Sequence, residues 1–156
     1  MIVREPNYDD VNTIFEMILP YAAESWQGRN AEVDYPTIVN SLFNVIGDPT
    51  FIKLIVENEG EIVAFACGYT GISWWKEPDG CIDMFYVSKK ARGTKAAREL
   101  VAGMINRFKS AGVGYLYAGA ESDVNDKNTR LYENLFKKFG FRDIGGGSLI
   151  INLRGI

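Results

Sequence analysis

Histidine is absent from this sequence of 156 residues. It is the side chain that proteins use most often as a general base and as a metal ligand. Its absence excludes a Ser-His-Asp triad or a Cys-His pair within the chain. Any proton transfer must therefore rely on a carboxylate, a tyrosine or a chain of water molecules.

Cysteine is scarce, and the two thiols, Cys67 and Cys81, are not in CxxC spacing. Two thiols alone cannot build a structural zinc site, so we predict no metal site. Both cysteines are expected to be reduced, buried thiols on strands. A bridge between neighbouring strands is the alternative.

The sequence also lacks a basic surplus and a long apolar run. Its formal net charge is −3, whereas nucleic-acid-binding proteins usually carry excess positive charge, so we expect no nucleic-acid partner. Apolar runs such as EIVAFACGY are far shorter than the roughly 20 residues of a membrane-spanning helix. The start, MIVREPNYDD, lacks the apolar core of a secretory signal. A soluble, cytoplasmic protein without a membrane partner is expected.

The first half of the chain predicts a strand, two helices and a hairpin. A strand at 2–4 precedes a helical pattern in NYDDVNTIFEMILPYAAESW, which Pro20 should end or kink. A second helix is predicted over Tyr35–Val45. The segment FIKLIVENEGEIVAFACGYTGI then reads as a hairpin that turns at Glu59 and Gly60.

The second half predicts four more strands and two more helices. CIDMFYV is a strand, and Lys95–Ala111 is a helix with a clear apolar stripe. YLYAGA is the next strand, and DVNDKNTRLYENLFKKFGF is a helix with Leu131, Leu135 and Phe139 facing inward. A glycine-rich bend and a last strand follow. The order β-α-α-β-β-β-α-β-α-β-β predicts one α/β domain over residues 1–156.

A small, basic turn lies between a strand and a helix in FYVSKKARGTKAARELVAGM. A helix N-terminus exposes unpaired N–H groups and the positive end of its dipole, which together attract anions. Arg92 can pair with a phosphate through two hydrogen bonds, and Lys95 adds a point charge. The turn therefore predicts a diphosphate site, although a surface turn with small residues for packing remains an alternative. It is neither a P-loop nor GxGxxG.

The same segment resembles the acetyl-CoA-binding motif of the GNAT N-acetyltransferase superfamily. That motif reads Gln/Arg-x-x-Gly-x-Gly/Ala after a strand ending in Val. Arg92 matches its first position and Ala97 its last, while Lys95 stands where the family usually has glycine. NDKNTRLYENLFKKFGF resembles the second signature, Asn…Leu-Tyr-Glu…Gly-Phe. The element order resembles that of the family from Val3 to Leu153.

The resemblance implies a GNAT-like α/β domain that binds acetyl-CoA as a cosubstrate. It implies a mixed, mostly antiparallel sheet of about seven strands, flanked by four helices and splayed between strands 4 and 5. The backbone of Phe85, Tyr86 and Val87 would hold the pantetheine arm, and the turn would hold the pyrophosphate. The turn comprises Arg92, Gly93, Thr94, Lys95, Ala96 and Ala97. Asn125 and Asn128 are candidate cofactor contacts, and each is equally a candidate helix cap.

The resemblance implies direct acetyl transfer to a primary amine, with no acyl-enzyme. Asp83 is a candidate base, because alternation predicts that it shares a face with Phe85 and Val87, whose apolar side chains would raise its pKa. Glu121, just past the fifth strand, is a second candidate base. The alternative for Glu121 is a solvated loop charge, and the alternative for Asp83 is a surface-facing or hydrogen-bonded residue of the strand.

The acid that protonates the leaving thiolate is ambiguous between two registers. Counting forward from Asn125 places this acid at Tyr132, and counting back from Gly140 places it at Phe136, which has no proton to donate. Either Tyr132 serves or the acid is missing.

We therefore predict an acetyl-CoA-dependent N-acetyltransferase. The alternatives are a CoA-binding GNAT-like module without efficient catalysis and an α/β interaction protein with no CoA role. The acceptor is a small molecule, peptide or protein that bears an amine, and a homodimer is left open. Trp74 and Trp75 would line an acceptor pocket or a dimer surface, or simply pack.

Overall fold

The computed structural model describes residues 1–24, 32–71, 73–119 and 126–156. Within this part of the chain, the helices are α1 (Val11–Glu24), α2 (Tyr35–Gly47), α3 (Ala96–Ser110) and α4 (Asp126–Lys138). The strands are β1 (Ile2–Arg4), β2 (Phe51–Asn58), β3 (Glu61–Gly71), β4 (Asp79–Val87), β5 (Tyr115–Gly119), β6 (Arg142–Gly145) and β7 (Ser148–Asn152). Short 3-10 helices cover 8–10 and 89–91. The predicted order of elements is confirmed.

The seven strands form one sheet in the order β1-β2-β3-β4-β5-β7-β6. Strands β4 and β5 pair in parallel, and every other pair that the structure describes is antiparallel. A parallel pair needs a crossover connection, and α3 supplies it between β4 and β5. The expected mixed, mostly antiparallel sheet is therefore confirmed.

The sheet has a packed core on each side. On one side, here called the α3 face, Ile82 and Leu116 pack with Leu100 and Phe108 of α3. On the other side, the α1 face, apolar residues of β2, β3 and β4 pack with α1 and α2. These two cores hold the central strands rigidly between helical layers.

The hairpin between β2 and β3 turns as the sequence predicts. Glu59 and Gly60 have φ values of 52° and 79°, so both residues lie in the left-handed region. Two consecutive residues of this kind match the right-handed twist of the flanking strands. The hairpin brings β3 beside β4, the strand that carries the candidate site.

One helix prediction is narrowed and another needs correction. Helix α1 runs through Pro20 to Glu24, so of the two effects predicted for Pro20, an end of the helix is excluded. On α4, Leu131 is not inward, because its side chain is 58% exposed. The face that packs on the sheet instead contains Tyr132, Leu135, Phe136 and Phe139. These positions follow the i, i+3, i+4, i+7 pattern of one helix face.

None of the helices in the described ranges is long and apolar enough to cross a membrane.

The first strand is tied to the sheet through a partly buried ion pair. Both Asp10 carboxylate oxygens accept from the Arg4 guanidinium, at 2.8 and 3.0 Å, and Arg4 also bonds to Glu57 at 2.7 Å. The backbone N–H of Asn7 donates to Asp10 at 2.8 Å. The hydrogen bond from Arg4 lowers the pKa of Asp10, and the hydrogen bond from the Asn7 N–H lowers it further. Together they outweigh burial, which raises it.

Asp10→Asn should lower the free energy of unfolding by about 1–2 kcal/mol at pH 7, because it weakens a charged hydrogen bond. Folding lowers the pKa of Asp10 below the ordinary aspartate value of about 3.9. The carboxylate therefore stabilises the fold at pH values above about 3.9, and this stabilisation is lost as the pH falls through the pKa that Asp10 has in the folded protein. Urea unfolding at neutral and acidic pH would measure it. Asp9→Asn, at an exposed neighbour, is the control. A difference from wild type that persists undiminished at low pH would contradict this linkage.

Candidate functional site

Strands β4 and β5 pair over only part of the length of β4. The parallel register joins Asp79 to Tyr115 and ends where Ile82 meets Ala118. Strand β4 continues to Val87, paired with β3 on its other side. Among the described residues, the β5-facing edge of 83–87 has no strand partner. Gly119 of β5 pairs with β7 but not with β4, so within the described residues the β4–β5 pairing ends at Ala118, where the splay between strands 4 and 5 was expected.

The chain leaves the unpaired part of β4 and enters α3 through the predicted basic turn. Gly93 has a φ of 82°, and no atom lies within 4 Å of where its Cβ would be. The Thr94 hydroxyl donates to the Ala91 carbonyl at 2.6 Å and accepts from the Ala96 N–H at 3.2 Å. Thr94 thus holds the turn rather than offering its proton to a ligand. The side of the turn that a ligand can approach closely is formed by Gly93.

The positive charge of the turn comes from Arg92 and Lys95, which are both exposed. The Arg92 guanidinium lies 5.9 Å from the centroid of the Tyr86 ring, and its Nε donates to the Val87 carbonyl at 3.2 Å. Its terminal nitrogens have no acceptor among the described residues. Lys90, in contrast, pairs with Glu61. Arg92 and Lys95 therefore flank the first turn of α3 with charge that is available to an anion.

Aromatic rings from β4 and α4 meet on the α3 face beside the splay. The Phe85 ring contacts Tyr132 at 5.7 Å and Phe136 at 5.2 Å between centroids, both edge to face. Tyr132 stacks on Phe136 at 4.4 Å. Phe136 is completely buried and also contacts Phe141. Both candidates for the acid position therefore lie on one helix face, with Phe136 beneath Tyr132 in the core.

The Tyr132 phenol is in a dry environment that favours its protonated form. Burial raises the pKa of Tyr132 above its ordinary value, and the charges of Cys81 and Tyr21 raise it further. Tyr21 packs in the core of the α1 face. The Tyr132 ring itself lies against Phe85 and Phe136 on the α3 face.

Asp83 lies at a break in the alternation from which it was predicted to share a face with Phe85 and Val87. A β-bulge in β4 pairs Cys67 with Met84 and Gly68 with Ile82, which leaves Asp83 between two registers. Asp83 is exposed. Its charge helps to raise the pKa values of both cysteines. The exposure of Asp83 is at odds with the apolar surroundings that were predicted for it.

The two cysteines are free thiols on strands, as predicted, but only Cys67 is fully buried, whereas Cys81 is partly exposed. Burial, with a smaller effect of the Asp83 charge, raises the pKa of Cys67 to about 12. The same two causes raise the pKa of Cys81, although a hydrogen bond with Tyr69 opposes them. Because the thiolate is the nucleophilic form, neither cysteine suits an acyl-enzyme mechanism.

A pocket of about 260 Å³ opens on the α1 face just before the splay. Its lining residues come from the end of β3, the start of β4 and the middle of β5: Tyr69, Gly71, Asp79, Gly80, Cys81 and Tyr117. The sequence analysis missed this pocket. Its residues are distant along the chain, and only the strand register brings them together.

Three predicted site residues cannot be placed. Glu121 and Asn125 lie outside the described residues, and the side chain of Asn128 is likewise not described. Within the described ranges, no group of three or more cysteine, aspartate or glutamate side chains is arranged to hold a metal ion.

The fold is similar to that of several solved acetyltransferases. Ribosomal-protein-alanine N-acetyltransferase from Brucella melitensis is 20% identical, with a TM-score of 0.76 over 97% of this chain and 99% of that chain. A predicted acetyltransferase with acetyl-CoA from Clostridium acetobutylicum is 17% identical, with a TM-score of 0.70 over 93% and 92%. PaiA N-acetyltransferase from Thermoplasma acidophilum, in complex with coenzyme A, is 16% identical, with a TM-score of 0.66 over 96% and 95%.

Among curated proteins, none matches this sequence significantly. The family model described as acetyltransferase (GNAT) family matches residues 11–141, which include the basic turn, the splayed strands and the aromatic face of α4. The chain therefore belongs to the GNAT acetyltransferase family.

Proposed function

We propose that the protein is an acetyl-CoA-dependent N-acetyltransferase that transfers the acetyl group directly to a primary amine. One observation carries the proposal: the unpaired edge of β4 leads straight into a basic turn at the N-terminus of α3. An unpaired strand edge suits the amide groups of pantetheine, and the turn suits a pyrophosphate. Coenzyme A has both features in a single molecule.

The turn would hold the pyrophosphate through charge and backbone together. Arg92 keeps its terminal nitrogens available while its Nε is fixed on Val87. Lys95 is the N-cap residue of α3 and is exposed, so its side chain has room to contact phosphate instead of blocking it. The N–H groups of the first helical turn complete the site. Gly93 leaves the backbone open to close approach.

Next to the acetyl group, the chain offers a backbone edge, a phenol and a carboxylate. In transfer, the amine nitrogen forms a bond to the acetyl carbon, and the bond from that carbon to sulfur breaks. The N–H groups of 85–87 would stabilise the oxyanion, and Tyr132 would donate a hydrogen bond to the departing sulfur. Asp83, exposed at the bulge, and Glu121 remain the candidates to take the proton of the amine.

Two measurements on the purified protein test the proposal. Coenzyme A should raise the melting temperature, because a ligand that binds only the folded state stabilises it. Acetyl-CoA with a panel of primary amines should release free thiol. Melting that does not respond to coenzyme A would refute a CoA role, and stabilisation without thiol release from any amine would favour a binding module without catalysis.

Arg92→Ala should weaken coenzyme A binding about 10- to 100-fold, because one charge-assisted phosphate contact is lost. Isothermal titration calorimetry measures the effect. Arg142→Ala, at an exposed arginine of β6, is the matched control and should bind like the wild type. Equal affinities for the two variants would remove the turn from the cofactor site.

Tyr132→Phe should lower kcat about 10- to 100-fold without changing the fold, because the departing sulfur loses a hydrogen-bond donor. Burial raises the pKa of Tyr132 above the ordinary value of about 10, so the phenol keeps its proton between pH 7 and about 9. The ratio of wild-type to variant kcat should therefore stay constant over this range. Tyr8→Phe, at an exposed tyrosine, is the control. A ratio that falls toward one as the pH rises would contradict the assignment.

Two further expectations are part of the same proposal: location in the cytoplasm and assembly as a homodimer. Trp74 and Trp75 are 98% and 60% exposed, so they do not pack in the core. They are instead available to an acceptor or to a second copy of the chain. Size-exclusion chromatography with light scattering would show the oligomeric state.

A further inference from the structure

We infer that Tyr86 is a positioning residue for cofactor binding: its buried ring holds the Arg92 guanidinium at the end of the unpaired edge of β4, ready for the pyrophosphate. This assignment rests on the proposed function, since it takes coenzyme A as the ligand. The resemblance to the GNAT family gives Tyr86 a role only through its backbone, whereas the contact with Arg92 comes from its side chain.

The hydrogen bonds around Val87 place the guanidinium at the unpaired edge. The Ser88 N–H donates to the Val63 carbonyl of β3 at 2.9 Å. In a trans peptide the C=O points away from the N–H that follows it, so the Val87 carbonyl points away from β3. It therefore points toward the edge of 83–87 that has no strand partner among the described residues. The Arg92 Nε donates to this carbonyl at 3.2 Å, so the guanidinium lies where the unpaired edge ends and the turn begins.

The Tyr86 ring is held by the core of the α1 face. Tyr86 is only 6% exposed and packs in that core. The Tyr21 ring of α1 lies 5.9 Å from it between centroids, at an angle of 57°. Phe65, its register partner on β3, is completely buried and points to the same side of the sheet. A ring enclosed in this way is a fixed platform for the guanidinium.

The ring and the carbonyl restrain different parts of the Arg92 side chain. The Val87 carbonyl takes the Nε proton, and the ring of Tyr86 lies 5.9 Å from the guanidinium carbon. The two terminal nitrogens are left to donate, in the fork geometry that matches two phosphate oxygens. An unrestrained arginine loses rotamer freedom when it binds a phosphate, and this loss weakens binding. Because Arg92 is restrained before the ligand arrives, the loss is smaller.

Calorimetry with coenzyme A tests the effect of the ring. Tyr86→Leu should bind coenzyme A about 3- to 10-fold more weakly than the wild type, because the cation–π contact and the restraint on Arg92 are both lost. Tyr86→Phe keeps a ring at the same place and should bind within about twofold of the wild type. Phe15→Leu removes an α1 ring that contacts Tyr35 in the same core, so it controls for lost packing and should keep the wild-type affinity.

A double-mutant cycle shows whether the ring acts through Arg92. In the Arg92→Ala background, Tyr86→Leu should cause no further loss of affinity for coenzyme A, since the residue that it positions is gone. Pantetheine has the amide arm without the phosphates and should bind Tyr86→Leu as well as it binds the wild type, measured by nuclear magnetic resonance titration. Equal losses for both ligands, or additive losses in the cycle, would mean that Tyr86 acts on the edge itself and would overturn the assignment.

Nuclear magnetic resonance of the wild-type protein tests the contact directly, even if Tyr86→Leu does not fold. The Arg92 side-chain protons should show nuclear Overhauser contacts to the Tyr86 ring, both in the free protein and in its complex with coenzyme A. Arg92→Ala identifies the arginine signals. Arg92 signals without these contacts, or contacts that disappear when coenzyme A binds, would contradict a positioning role.

The outcomes separate this inference from the proposed function. Wild-type protein that does not bind coenzyme A would overturn both. Binding of coenzyme A by Tyr86→Leu with the wild-type affinity would overturn only the role of Tyr86 and would leave the proposed acetyl transfer intact. A loss of affinity that Tyr86→Phe restores, and that requires Arg92, would support the inference.

Discussion

The early end of the β4–β5 pairing is the constraint on which the rest of the site depends. Because the pairing of β5 with β4 ends at Ala118 while β4 continues to Val87, residues 83–87 have a strand partner on only one side in the part of the chain that the structure describes. The same strand then turns into α3, so the edge and the N-terminus of the helix are consecutive in the chain. A ligand with amide groups and phosphates can therefore satisfy both at once. Pairing along the full length of β4 would remove the opening.

The bulge at Asp83 decides which side chains reach that opening from each side. By adding one residue to β4, it places Ile82 and Phe85 on the α3 face and Met84 and Tyr86 on the α1 face. Phe85 can thus support the phenol of α4, while Tyr86 supports the guanidinium of the turn. Bulges commonly lie beside active sites because they redirect side chains in this way.

The features that could be predicted from the sequence are those set by local patterns. The features that could not be predicted depend on packing and on the register between strands. The hairpin at Glu59 and the apolar stripe of α3 were readable because their signals repeat within a few residues. The inward face of α4 was misassigned at Leu131, because helical periodicity also fits a face with Tyr132 and Phe136. Packing against the core, which periodicity does not reveal, buries the second face. The surroundings of Asp83 were mispredicted because alternation assumes an unbroken period of two, which the bulge interrupts. The pocket at Asp79 needed strand register, which no local pattern contains.

The buried phenol also limits what kind of acid Tyr132 can be. An ordinary thiol has a pKa of about 8.5, below that of a free tyrosine at about 10, and burial raises the pKa of Tyr132 further. Complete proton transfer to a thiolate would therefore be unfavourable, whereas a hydrogen bond to the developing charge stabilises it without transfer. In the proposed mechanism, Phe136 would not replace Tyr132 at the acid position. Stacked on Tyr132 at 4.4 Å, it would instead fix the ring whose hydroxyl is proposed to bond the sulfur.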